Sequence, residues 1–97
     1  MPTLPEYDVI VWLQHTKFTE KLEQEILSVA EIEPYECVVY EGVLDIHWGF
    51  FDWNVAIQFI NKLEKYKENP NIFMIKASNY AMPDASLIIK DARPGKN

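Results

Sequence analysis

The side chains with the clearest potential for chemistry in this 97-residue chain lie between positions 36 and 47. Asp45 and His47 are two residues apart, so in an extended strand their side chains share a face. Glu36 lies opposite His47 if the segment between them folds as a hairpin. Three such groups can in principle bind a divalent metal ion. A Glu–His pair across two strands is more often a plain surface contact, so we expect no metal site.

Other motifs of catalysis and cofactor binding are missing from the sequence. Its three glycines, Gly42, Gly49 and Gly95, are too far apart for a phosphate-binding loop, and no CxxC or HxxxH spacing occurs. Cys37 and His47 suggest a nucleophile and its base. The hairpin sends them to opposite faces, so we interpret Cys37 as a small core residue. The sequence thus predicts no catalytic residue and no cofactor, and it favours a non-enzymatic role.

The hairpin that positions these residues is predicted by apolar alternation. Segments 36–40 and 43–48 are typical of two strands joined by the two-residue turn Glu41-Gly42. In that register Glu36 pairs with His47, and Val38 pairs with Asp45. One face is then wholly apolar, and a one-residue slip would mix the two faces. A bulge at Gly42 is the main alternative.

The rest of the chain supplies three more strands and two helices. Segments 8–14, 71–77 and 86–90 have the composition of strands. The first helix is indicated by Phe18, Leu22, Ile26 and Val29, which share one helical face. The second begins at the N-cap Asp52, and its predicted buried stripe is Trp53, Ala56, Ile57, Ile60 and Leu63. The predicted order is β-α-β-β-α-β, with an additional fifth strand. This order predicts a single α+β domain over 1–97. Its architecture would be a ferredoxin-like two-layer sandwich, with both helices on one face of an antiparallel sheet.

Two helices can cover only one face of such a sheet, which leaves the other face to be explained. We expect Phe73 and Ile75 to point towards the helices. The open face would then carry Ile10, Trp12, Val38, Tyr40, Val43, Ile72 and Met74. This is more apolar than an ordinary solvated sheet surface. We therefore expect the open face to contact a second copy or a different protein, unless a strand is misassigned or the chain itself covers it.

A cluster of aromatic residues lies at the junction of the second hairpin strand and the second helix. It comprises His47, Trp48, Phe50, Phe51 and Trp53. Such a cluster can form a ligand pocket or an anchor for a partner. We favour a structural role, with Trp48 and Trp53 filling the end of the core, Phe51 packing on Ala56, and Phe50 as the exposed member.

Charge and composition restrict the class of partner. The net charge is −6, and segment 20–45 holds eight acids against one base. Nucleic acid binding is disfavoured because phosphate contacts need clustered Lys and Arg. The single cysteine fits a reducing compartment, and the N-terminal residues do not resemble a secretory signal. No apolar run approaches a membrane span. We therefore expect a cytoplasmic protein without membrane or nucleic acid partners.

Two functions remain open from the sequence. The first is a small acidic protein-binding module, an inhibitor or immunity-type antidote that binds a basic partner protein. Its predicted contact residues are Trp12, Glu31, Glu33, Glu36, Tyr40, Asp45, His47 and Phe50. The alternative is a ferredoxin-like homodimer that binds a small molecule or acts as a small enzyme, with a pocket near Trp12, His47 and Trp48.

Overall fold

A computed structural model describes residues 5–92 of the chain. The strands are β1 (Tyr7–Gln14), β2 (Glu36–Tyr40), β3 (Val43–Phe50), β4 (Ile72–Asn79) and β5 (Leu87–Asp91). The helices are α1 (Glu20–Val29) and α2 (Trp53–Leu63), and a short 3-10 turn, Glu64–Tyr66, extends α2.

The five strands form one open sheet in the order β2-β3-β1-β4-β5, and every neighbouring pair is antiparallel. With the two helices, this is an α+β fold. The central strand β1 is buried over most of its length, in agreement with its continuous apolar sequence.

The core lies between one face of the sheet and the two helices. Alternate residues of β1 (Val9, Val11 and Leu13) pair with Trp48, Ile46 and Leu44 of β3, and all six are buried. Ile26 of α1 and Ile60 of α2 belong to the same buried cluster. Burying these side chains supplies most of the driving force for folding.

The predicted hairpin is confirmed in its register. Glu36 pairs with His47, Val38 with Asp45 and Tyr40 with Val43. The turn residues Glu41 and Gly42 both have positive φ, 50° and 78°. A turn of this kind has the twist that joins two antiparallel strands directly, and glycine adopts it without strain.

Helix α2 begins where the sequence predicts, but its buried residues differ from the predicted stripe, in which Trp53 and Ile57 are only half-buried. The Asp52 side chain accepts a hydrogen bond from the backbone N–H of Asn54 at 2.8 Å, which makes it the N-cap. Phe59 is buried and was missed by the predicted stripe. The prediction that Phe51 packs onto this helix is wrong, since its side chain is largely exposed.

Two other burial predictions are wrong. Phe18, expected on the buried face of α1, precedes the helix and is 85% exposed. On β4 the expected faces of Ile72 and Phe73 are exchanged: Ile72 is buried and Phe73 is only half-buried. The reason is a register shift between β1 and β4 at Trp12/Leu13, which pairs Ile72 with the core residue Leu13.

Within residues 5–92, neither helix has the length and apolar character needed to cross a membrane.

Candidate functional site

The face of the sheet opposite the helices carries a buried carboxylate, Asp8. It lies on β1 between Gly49 of β3 and Ser78 of β4, and it is only 2% exposed. A buried carboxylate is costly unless hydrogen bonds satisfy it. The structure supplies these bonds from two tyrosines distant in sequence.

Tyr35 and Tyr80 both donate their phenol hydrogen to Oδ2 of Asp8. Tyr80 does so at 3.0 Å, and Tyr35 makes a shorter contact with the same oxygen. Backbone bonds fix both residues: the Tyr35 N–H donates to the carbonyl of His47, and the Tyr80 N–H donates to the carbonyl of Glu6. Partial burial, followed by the hydrogen bond to Asp8 and its negative charge, raises the pKa of both phenols. The two phenols therefore remain neutral donors at physiological pH.

His47 connects Asp8 with the hairpin carboxylates. Its Nδ1 lies 3.3 Å from Oδ2 of Asp8. On the other side of the ring, Nε2 lies 2.8 Å from Oδ1 of Asp45 and 3.7 Å from Oε2 of Glu36. The Tyr35 ring packs edge-on against the imidazole, with the centroids 5.9 Å apart. One imidazole thus contacts three carboxylates.

Asp45 is itself held from the neighbouring strand. Trp12 lies directly across the β1–β3 pair, and its indole Nε1 donates to Oδ1 of Asp45 at 2.6 Å. The same carboxylate oxygen therefore meets both the indole N–H and His47, which fixes its position on the sheet.

An open pocket of about 490 Å³ adjoins Asp8. Its lining combines three aromatic rings with two carboxylates: Pro5, Asp8, Glu33, Tyr35, Gly49, Phe51 and Tyr80. Gly49 makes room for this arrangement, because a Cβ there would lie 2.6 Å from Cγ of Pro5 and 3.3 Å from Cδ1 of Tyr35. The pocket is of the size that holds small ligands, about 300–1,000 Å³.

No family model, curated protein or solved structure matches this chain.

Most of the residues predicted to contact a partner lie on the open face. Trp12, Glu36, Asp45 and His47 form one connected cluster. Tyr40 lies at the hairpin end of that face and is 72% exposed. Glu33 lines the pocket beside Asp8. Glu31 lies apart from it, in a smaller depression of about 180 Å³ that α2 helps to line.

The prediction that Phe50 is the exposed aromatic residue is wrong. Phe50 is 8% exposed and packs against Phe59 with ring centroids 5.6 Å apart. It continues the buried alternation of Ile46 and Trp48 along β3, and the exposed ring is Phe51.

The expectation of an apolar open face also needs correction. Ile10 and Met74 lie on that face but are buried, and Ile72 belongs to the core. Val38 and Tyr40 are exposed at the sheet edge. The rest of the face combines a polar network around Asp8 and His47 with apolar side chains, among them the half-buried Val43 and the exposed Ile88. The apolar residue count did not reveal the polar part.

Cys37 is exposed, so the expectation of a small core residue is wrong. It lies on the edge strand β2, where every residue is exposed. Partial burial, with smaller effects from the charges of Glu23 and Asp45, raises the pKa of the thiol. A thiol with a raised pKa has little thiolate at neutral pH and is a weak nucleophile.

Sequence reasoning missed Asp8 and Tyr35 at the centre of the site, and it did not link Tyr80 to them. Asp8 shares a strand face with Trp12, which offered a weak signal. Tyr80 is 72 positions from Asp8, and nothing in a single sequence links them.

Proposed function

We propose that this chain binds a small organic cation, an ammonium compound, in the pocket beside Asp8. One observation carries the proposal: a pocket of about 490 Å³ is lined by three aromatic rings and two carboxylates, and its lining among the described residues includes no Lys or Arg.

Both kinds of lining group favour a cation. Aromatic rings attract ammonium groups through their negative faces, by about 0.5–2 kcal/mol per ring depending on desolvation. The carboxylates of Asp8 and Glu33 add a negative potential that repels anions. Tyr35 and Tyr80 remain uncharged, since the pKa of each phenol is raised, and their bonds to Asp8 hold the rings in position.

The test is calorimetric titration with choline and with its neutral isostere 3,3-dimethyl-1-butanol. The two compounds have nearly the same shape, and only choline carries a charge. We expect saturable one-to-one binding of choline and none of the neutral compound. Equal affinity for both would mean that the pocket binds by shape and apolar contact alone, and no binding of either would contradict the proposal.

Variants of the lining locate the site. Phe51→Leu and Tyr80→Leu each remove one ring, and we expect each to weaken binding by about 2- to 30-fold, the equivalent of one cation–π contact. Tyr40→Leu is the matched control, because Tyr40 is exposed on the same sheet but does not line the pocket. Loss of binding in the control would place the ligand elsewhere.

We further propose that the sheet is of the ferredoxin-like type. The position of β3 between β1 and β2, antiparallel to both, supports this, because a split βαβ unit has this arrangement. Strand β5 extends such a sheet beyond β4 at its outer edge.

A protein-binding module for a basic partner is the second candidate, supported by the edge strand β2. Val38, Val39 and Tyr40 are all exposed, Glu36 begins this strand, and Glu31 and Glu33 precede it in the sequence. An exposed edge strand can pair with a strand of another protein. The surrounding acidic charge favours a basic one.

Charge reversal tests this candidate. The combined changes Glu31→Lys, Glu33→Lys and Glu36→Lys should abolish salt-sensitive capture of a basic protein from cell extract. The same reversal at Glu64, Glu68 and Asp84, all exposed and outside the acidic segment, should not. Binding that survives the first set of changes and high salt would exclude the electrostatic argument.

A further inference from the structure

A second cluster of side chains lies at Nε2 of His47, on the opposite side of the ring from Asp8. Glu36, Asp45 and His47 each offer one ligand atom, and these atoms lie within 4.8 Å of one another. The hairpin register explains the grouping, since Glu36 pairs directly with His47, and Asp45 is two residues along β3 on the same face. The side chains are 48%, 31% and 16% exposed in that order, so an ion has access from solvent.

The orientation of the His47 ring determines which of its nitrogens is available to bind a metal ion. Its Nδ1 lies 3.3 Å from the buried Asp8 carboxylate, and when it donates its proton there, Nε2 carries a lone pair. That lone pair then meets oxygens of Asp45 and Glu36 at 2.8 and 3.7 Å. A metal ion can take the place of a proton at Nε2, because it accepts electron pairs from the imidazole and from both carboxylates.

The surrounding contacts resemble the outer shell of a metal site. Histidines that bind metals commonly donate their second ring N–H to a carboxylate, as His47 can to Asp8. Asp45 is likewise fixed, by the indole N–H of Trp12 at 2.6 Å. Ligand atoms around a tetrahedral zinc ion are roughly 3.4 Å apart, as follows from bonds of about 2.0–2.2 Å. The separations from Nε2, 2.8 and 3.7 Å, lie on either side of this value, and all three ligand atoms lie within 4.8 Å of one another, so side-chain rotations can bring them around one ion.

We propose that Glu36, Asp45 and His47 bind one divalent transition-metal ion of the Zn²⁺ class. One imidazole nitrogen with two carboxylate oxygens suits borderline ions such as Zn²⁺, whereas Mg²⁺ and Ca²⁺ prefer oxygen ligands alone. Three protein ligands leave a fourth position for water. Catalytic zinc sites have this arrangement, whereas structural zinc sites have four protein ligands. The proposal does not rest on the organic-cation pocket, because none of the three ligands lines it.

The experiment uses the full chain, free of any histidine tag, stripped of metal with a chelator. Zn²⁺ is titrated by calorimetry in the absence of organic cations, and Co²⁺ is followed by its visible absorption, which reports coordination geometry. We expect one ion per chain, a Co²⁺ spectrum of low coordination number, and little competition from Mg²⁺ or Ca²⁺. Absence of binding at stoichiometric Zn²⁺, or tighter binding of Ca²⁺ than of Zn²⁺, overturns the proposal.

Variants identify the ligands. His47→Ala and Glu36→Gln should each weaken Zn²⁺ binding by at least about 100-fold, because removing a ligand costs no less than removing an outer-shell partner. Glu36 is exposed on an edge strand, so Glu36→Gln keeps the test valid if His47→Ala does not fold. His15→Ala is the control, since His15 pairs with Glu23 at 2.6 Å, away from the cluster. Binding lost in His15→Ala but retained in the other two variants would assign the ion to His15 and overturn the proposal.

Trp12→Phe tests the outer shell by removing the hydrogen bond to Asp45 without removing a ligand. We expect a loss of about 10- to 100-fold in Zn²⁺ affinity with an unchanged Co²⁺ spectrum. Unchanged affinity would show that this hydrogen bond does not support the site, which contradicts the outer shell inferred from the structure.

Discussion

At the scale of single residues, the site depends on how a carboxylate can remain buried in a sheet. Asp8 is 2% exposed, and two phenols and an imidazole converge on its Oδ2. Leaving such a group without partners would cost several kcal/mol. Tyr35 and Tyr80 thus have two roles. They line the pocket, and their hydrogen bonds offset the cost of burying the Asp8 carboxylate.

The coupling between Asp8 and the tyrosines predicts a change in phenol titration. Asp8→Asn removes the negative charge that helps to raise the pKa of Tyr35 and Tyr80, so both phenols should ionise at lower pH than in the wild type. Ultraviolet absorbance of phenolate as a function of pH measures this. Tyr35→Phe and Tyr80→Phe should each remove a late-titrating step, and Tyr40→Phe should keep both. A titration curve that Asp8→Asn leaves unchanged would contradict the contacts.

Gly49 gives a second prediction at this scale. A methyl group there would lie 2.6 Å from Cγ of Pro5 and 3.3 Å from Cδ1 of Tyr35, so Gly49→Ala should displace Pro5 and shift the Tyr35 ring slightly. We expect about 1–3 kcal/mol less stability in urea unfolding, the usual cost of overpacking, together with weaker choline binding. If stability and phenol titration were both unchanged, the pocket lining would accommodate a side chain at position 49, which would contradict the prediction.

At the scale of elements, the β2–β3 hairpin is the part of the fold whose structure depends most on local sequence. Its register follows from alternation and a two-residue turn, both readable within a dozen residues. The turn is not optimal, because Glu41 adopts a φ of 50° that glycine and asparagine tolerate better.

Replacing this residue should therefore stabilise the protein. We expect Glu41→Asn to raise the free energy of unfolding by about 0.5–1 kcal/mol, since Asn-Gly is a preferred sequence for this turn. Glu41→Gln is the matched control, because it removes the charge but keeps a side chain disfavoured at positive φ. Urea unfolding of both variants gives the comparison. Equal stabilisation by Gln and Asn would attribute the effect to charge instead.

The same distinction between local and distant contacts explains which features could be predicted. The Asp52 cap and the grouping of Glu36 with His47 depend on neighbours in one element, and the sequence predicts both. The burial of Ile72 depends on a register shift against β1, and the exposure of Cys37 depends on which strand lies at the sheet edge. These properties are set by tertiary packing, which a single-sequence pattern does not contain.

At the scale of the whole molecule, the sheet order brings the site together. Asp8 on the central strand β1 meets a loop residue before β2 and another after β4, 27 and 72 positions away. The start of β2 pairs with β3 next to the start of β1, and the end of β4 pairs with the start of β1, so both loops reach the same end of the sheet. Formation of the pocket is therefore coupled to formation of the complete sheet.

This coupling predicts how stability changes in alkali. The folded chain raises the pKa of Tyr35, Tyr80 and Cys37 above the ordinary values of about 10 for tyrosine and 8.5 for cysteine. Below those values both the folded and unfolded states carry the protons, and these groups add no pH dependence. Above them the unfolded state loses its protons first, so the free energy of unfolding falls as the pH rises towards the folded pKa values.

Urea unfolding at a series of pH values between about 8 and 11 measures the effect. We expect stability to decline over this window in the wild type. The decline should be shallower in Tyr35→Phe and in Tyr80→Phe, because each removes one group that titrates differently in the two states. Tyr40→Phe, outside the cluster, should keep the wild-type slope. If all four proteins lost stability in parallel, the two phenols would not be linked to folding, and the Asp8 network would not be a condition for the native sheet.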